Sequence, residues 1–118
     1  MSCEIRASER FRKEAKRLSK KYFSLREEIA TLENQLSENP KMGEPLGQNC
    51  YKIRMVIKSK GKGKSGGARV ITHLVRVVQT KKESIILYLL TIYDKSELNT
   101  IGANELRKMV KEISELKG

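Results

Sequence analysis

The chain has 118 residues, which suits one domain spanning 1–118 with a modest core, and 38% of them are hydrophobic while a third are charged. Lys and Arg number 25 against 14 Asp and Glu, so the net charge is +11 and a polyanionic partner is the first expectation. The longest apolar run, Ile85 to Ile92, is far shorter than the roughly 20 residues of a membrane helix. The opening MSCEIRASER has no apolar stretch of the secretory kind, and Cys3, Cys50 and His73 have no zinc-ligand spacing. The expectations are therefore no membrane span, a reduced cytoplasmic setting, no metal and no cofactor.

Residues 2–7 alternate, with Cys3, Ile5 and Ala7 on one side and Glu4 and Arg6 on the other, which predicts a short strand. Helical spacing takes over at 8–21, where Phe11, Ala15, Leu18 and Tyr22 make one stripe. A second helix is predicted over 25–38 from Leu25, Ile29, Leu32 and Leu36, with Ser24 and Glu27 as a capping box. The two stripes are expected to meet as a helical hairpin. Asn39-Pro40 closes it, and Gly43, Pro45 and Gly47 mark a loop.

Tyr51 to Lys58 alternates again. Tyr51, Ile53, Met55 and Ile57 face one way, and Lys52, Arg54 and Lys58 the other, giving a half-buried strand with a basic outer face. A Gly/Lys loop follows over 59–67, then a β-branched strand over 69–78 and a polar turn at 80–83. Ser84 to Tyr93 is apolar on both faces, as a central strand should be. Leu106, Met109, Val110, Ile113 and Leu116 make a final amphipathic helix starting near Gly102. The order β-α-α-β-β-β-α, with short connections between the last three strands, predicts an α+β fold: a mostly antiparallel sheet packed against a helical hairpin.

The charge is concentrated. Residues 1–39 carry nine basic against seven acidic residues, and 84–118 carry five of each. Residues 40–83 carry eleven basic residues against Glu44 and Glu83 alone. Within this segment Gly63-Lys64-Ser65 has the end of a phosphate-binding P-loop. The position of its first glycine is Lys58, and a strand, not a helix, follows, so nucleotide hydrolysis is excluded. The loop reads either as a solubilised hairpin tip or as a basic finger on a nucleic-acid backbone. The adjoining basic strand favours the finger. Lys52, Arg54 and Lys58 together repel one another unless an anion joins them, although a charged edge strand also guards against aggregation. His73 reads as a tolerated strand residue, and no Ser-His-Asp set is present.

Three segments carry a resemblance to a known family. They are Cys50-Tyr51-Lys52-Ile53-Arg54, the run GKSGGARVI at 63–71, and LLTIYDKSE at 89–97. With the order of elements, they resemble the RelE/ParE superfamily of bacterial type II toxin–antitoxin toxins, in particular its RelE-like and HigB-like mRNA endonuclease branch. The resemblance implies a RelE-like fold and a ribosome-dependent, metal-independent endoribonuclease that inhibits translation, with the ribosome, mRNA and a cognate antitoxin as partners. In that chemistry the ribose 2′-OH attacks the adjacent phosphate, which needs a base, cations for the transition state and an acid.

By position, the resemblance makes Lys52 and Arg54 the two strand cations, one a candidate base and the other a phosphate clamp. Arg69 becomes the arginine on the scissile phosphate, and Lys95 falls near a family arginine. Glu44 matches the base carboxylate of one branch. Lys58, Lys60, Lys62 and Lys64 form the RNA- and ribosome-binding rim. The chain departs from the family where a late tyrosine is expected and Ile101 stands, and Tyr93 is the residue that would replace it. Two other functions remain open: a ParE-like toxin that inhibits DNA gyrase without cutting RNA, and a basic RNA-binding module without chemistry.

Overall fold

The computed structural model describes residues 2–61, 66–79, 81–98 and 100–117, and the side chains of these apart from 2, 79 and 114–117. Strand β1 (Ser2–Ala7) leads into helix α1 (Glu9–Lys21) and helix α2 (Leu25–Glu38). Strands β2 (Glu44–Gly47) and β3 (Cys50–Met55) follow, then a 3-10 turn at Lys58–Lys60. Strands β4 (Ala68–Gln79) and β5 (Lys82–Asp94) and helix α3 (Ala103–Lys117) complete the chain. The sheet order is β1-β5-β4-β3-β2, with β1 parallel to β5 and every other pair antiparallel. The α+β architecture and the β3-β4-β5 meander agree with the sequence pattern.

Local chemistry explains the elements. The Ser8 hydroxyl accepts the Phe11 N–H at 3.1 Å and donates to the Leu90 carbonyl at 2.8 Å, so one side chain caps α1 and ties it to β5. Glu9 in the first turn and Lys20 and Lys21 in the last complement the helix dipole. The capping box predicted for α2 does not form. Ser24 is itself helical (φ −79°, ψ −10°) and makes no side-chain cap. Its hydroxyl donates to Glu28 at 3.0 Å and accepts the Ser59 N–H at 3.0 Å, so it is occupied elsewhere.

The segment expected to be a plain loop contains β2, an edge strand in a hairpin with β3. Its two turn residues, Gln48 and Asn49, have φ of 55° and 57°, the left-handed pair whose twist matches the flanking strands. A β-carbon at Gly43 would lie 2.6 Å from the Lys52 carbonyl oxygen, so only glycine allows this approach to β3. The basic strand is also shorter than its alternation predicts. It ends at Met55, and Lys58 lies in the 3-10 turn beyond it.

The sheet has a core on each face. On one side α1 and α2 cover Ile53, Val70, Leu87, Leu89 and Ile92. On the other, Leu106, Met109 and Ile113 of α3 cover Cys50, Ile71, Tyr88 and Leu90. β5, between β1 and β4, is buried along most of its length, as its two-sided apolar pattern requires.

Candidate active site

The end of the sheet where β3 stops, β4 starts and β5 stops gathers most of the predicted site residues. Arg54 of β3 pairs in register with Arg69 of β4, and Arg69 pairs with Tyr93 of β5. Residues directly opposed in an antiparallel ladder lie about 4.5–5.5 Å apart at Cα and project from the same face. The three side chains therefore form one row, on the face that α3 covers further along. Lys52 stands two residues from Arg54 on that face, and its register partner on β2 is Glu44. The Lys52 ammonium is 3.5 Å from the Glu44 carboxylate, so the strand cations do have one acidic neighbour.

The row is not uniform. Arg54 is exposed and makes no ion pair among the described residues. Arg69 is only 5% exposed, and its Nη1 donates to the Ala68 carbonyl at 3.1 Å. Like charges set directly opposite each other destabilise a sheet. The Tyr93 hydroxyl is buried and has no hydrogen-bond partner among the described residues. Burial pushes its pKa up, against a smaller lowering effect of the Arg69 guanidinium beside it. Tyr93 and Ile101 line the same cleft, of about 430 Å³, between α1, the end of β5 and the start of α3. The phenol on β5 thus borders the space that Ile101 borders.

The lysines of the Gly/Lys segment divide. Lys58 is exposed, and its backbone N–H donates to Glu28 at 2.7 Å. Lys60 turns inward, against the expectation that it faces RNA. Its ammonium is paired with Asp94, a residue with no exposed surface, and donates to Ser96 at 2.9 Å. The Tyr22 hydroxyl donates to the same carboxylate at 2.6 Å, and the Ser96 N–H and hydroxyl donate at 3.0 and 2.7 Å. Burial alone would raise the Asp94 carboxyl, but the Lys60, Tyr22 and Ser96 donors outweigh it and hold it well below the usual carboxylate range. The half-buried Lys95 closes the other stem of the segment, its N–H donating to the Gly67 carbonyl at 3.0 Å. Lys62 and Lys64 lie outside the described residues.

This buried ion pair is the feature that the sequence pattern did not single out as structural. A signal was present: Asp94 ends an apolar run in the most buried strand, and a carboxylate taken out of water there requires a cation. Its partner could not be read, because Lys60 is one lysine among several in its segment. His73 is half-buried on β4, with its Nδ1 3.4 Å from the Cys50 thiol, whose pKa burial pushes up to about 11. Among the described residues no group of three His, Cys, Asp or Glu side chains could hold a metal, and no helix is long and apolar enough to cross a membrane.

No known family model matches the chain. Its structure is similar to that of a double arginine-to-alanine mutant of the E. coli toxin RelE in the free state, with a TM-score of 0.57. The two share 19% sequence identity over 96% of this chain and 99% of that one. The fold is RelE-like. The RelE-like arrangement carries the row Arg54–Arg69–Tyr93 at the open end of the sheet, beside the stems of the Gly/Lys segment.

Proposed function

We propose that this protein is the toxin of a type II toxin–antitoxin pair and acts as a ribosome-dependent endoribonuclease on mRNA. The observation that carries the reading is the in-register row of two arginines and a phenol, with Lys52 and Glu44 adjoining it on the sheet edge. The exposed Arg54 can hold two phosphate oxygens in its fork, and the buried Arg69 opposite it on β4 adds positive charge from within the end of the sheet. The Glu44 carboxylate beside Lys52 takes the proton of the ribose 2′-OH. The freed oxygen attacks the adjacent phosphorus, and the bond to the 5′ oxygen breaks. The products are a 2′,3′-cyclic phosphate and a 5′-OH. Arg69, Arg54 and Lys52 stabilise the charge that develops on the phosphoryl oxygens. Tyr93, protonated at neutral pH as any phenol is, donates to the leaving oxygen. Lys95 and Lys58 add positive charge where the Gly/Lys segment leaves and rejoins the sheet. The cognate antitoxin lays an acidic or amphipathic element over this basic face, in the cytoplasm where ribosomes and mRNA are found.

Primer extension on translated mRNA after induction tests the reading. Cuts within codons that disappear in Arg54→Ala and Arg69→Lys are the expected result. The lysine at 69 keeps the buried charge and loses the fork, so the loss is not one of folding. Intact mRNA with signs of DNA damage would instead favour a gyrase-directed toxin, and salt-dependent RNA binding without cleavage a passive RNA-binding module.

A further inference from the structure

The turn between α1 and α2 carries Phe23, which is 89% exposed, at the same end of the sheet as the candidate row. This turn is not a frayed end. Tyr22 before it is buried and bonded to Asp94, and Leu25 after it has no exposed surface. Ser24 and Ser59 are joined hydroxyl to hydroxyl at 2.8 Å and also by the Ser59 N–H. Glu28 accepts the Lys58 N–H, so the turn and the stem of the Gly/Lys segment form one rigid piece. An aromatic ring is thus held out in water by well-fixed neighbours.

Its surroundings are basic. Lys20, Arg26 and Lys58 are exposed and form no ion pair among the described residues. Lys21 is exposed too, and reaches Asp94 and Glu97 only at 4.0 and 3.8 Å. The nearby carboxylates are Glu27, which is exposed, and Glu28, whose two oxygens are taken by Ser24 and Lys58. A groove of about 350 Å³ between α2 and the end of β3 is lined by Lys58 and Arg54 and also by Glu27 and Glu28, the latter with both oxygens already engaged, with Leu32 and Met55 among its apolar members. It runs from the turn to the edge of the sheet at the end of β3, where Arg54 borders it and projects toward the opposite face. Cations that follow a backbone, with an aromatic face for a base, make a surface for single-stranded nucleic acid.

We infer that Phe23 is a stacking platform for an unpaired base of the RNA strand being cut, led from Arg54 along this groove to the α1–α2 turn. The inference rests on the reading that the protein acts on RNA. It adds a second anchor, remote from the scissile phosphate, and so a preference for unpaired over duplex substrate.

The chain has no tryptophan, so Phe23→Trp gives an emission signal from this position alone. The probe is a 12-nucleotide uridine-rich RNA, added single-stranded or annealed to its complement, without ribosomes. Saturable quenching by the single strand and little by the duplex is expected. Phe23→Ala should weaken binding of the strand by about five- to a hundredfold, and Phe23→Tyr by less than about threefold. No quenching, equal quenching by duplex, or an unchanged affinity in Phe23→Ala overturns the inference. So does quenching by ribosomes but not by the free strand, or an emission change with protein concentration alone, which would place a second copy on the ring. Cleavage on programmed ribosomes, measured in parallel, separates the two levels. Wild-type cleavage that Phe23→Ala leaves untouched in both KM and kcat removes the platform and spares the nuclease. Stacking at position 23 without any wild-type cleavage removes the nuclease and spares the platform.

Discussion

On one face of the sheet, α1 and α2 seal a cluster of sixteen buried side chains among the described residues; on the other, α3 seals eight. The larger cluster extends to the end of the sheet, where Tyr22 and the Lys60–Asp94 pair close it. The smaller one stops at Tyr93, and beyond it the sheet presents Arg54 and the half-buried Lys52, with Arg69 buried between the strands. On the hairpin side the lysine-rich segment divides between inside and outside. Lys60 is spent inside, on stability, while Lys58 remains outside. Positive charge in sequence is therefore not equivalent to positive charge available to a ligand.

The comparison breaks most sharply at Asp94. Asp94→Ala leaves the Lys60 ammonium buried and unpaired and should cost about 3–5 kcal/mol in urea unfolding, whereas Asp94→Asn with Lys60→Met should cost much less. Because the Asp94 carboxyl is held below its unfolded value, its stabilisation is fully present above the ordinary carboxylate pKa of about 4 and is lost as pH falls from there through the depressed folded value. The acid-unfolding profile of the wild type should steepen in that window. The profile of the double variant should lose that part.

Leu36, with no exposed surface on the hairpin side, should cost about 2–5 kcal/mol when replaced by alanine. Leu106→Ala on α3 should cost less, because a helix on the smaller cluster can resettle, and thermal melts of the two variants check the order. Arg54→Ala should leave the melting temperature nearly unchanged, as an exposed residue does, while cleavage on ribosomes falls by about a hundredfold or more. Unchanged cleavage would mean that the open face is not the reactive one. The smallest effects separate two serines that look alike in sequence. Ser8→Ala removes a true helix cap and should cost about 1 kcal/mol. Ser24→Ala removes no cap and should instead speed amide exchange at Ser59, whose N–H it holds.

Much of the fold was legible in the chain. The stripe Phe11, Ala15, Leu18, Tyr22 and the alternation around Ile53 report periods of 3.6 and 2 that backbone geometry imposes wherever one side is buried. The apolar run 85–92 announced a strand covered on both faces. The segment with β2 did not, because four residues with a proline and a glycine lack any periodic signal, and only the register with β3 makes them a strand. Among the site residues, Lys52 and Arg54 were singled out by the alternation of their strand, and Arg69 and Tyr93 only by the family resemblance. Their alignment in adjoining rows was not visible, since register is set by strand pairing over intervals of 15 and 24 residues.

The sequence by itself determined where the elements lie, which faces they bury and that the positive charge belongs to the middle of the chain, because these depend on neighbours within a few residues. Only the tertiary structure decided which cations remain available. Lys60 and Lys58 differ by two positions, yet one meets a carboxylate 34 residues further along the chain and the other meets water. That choice is made by desolvation, which exists only once the strands have closed around Asp94.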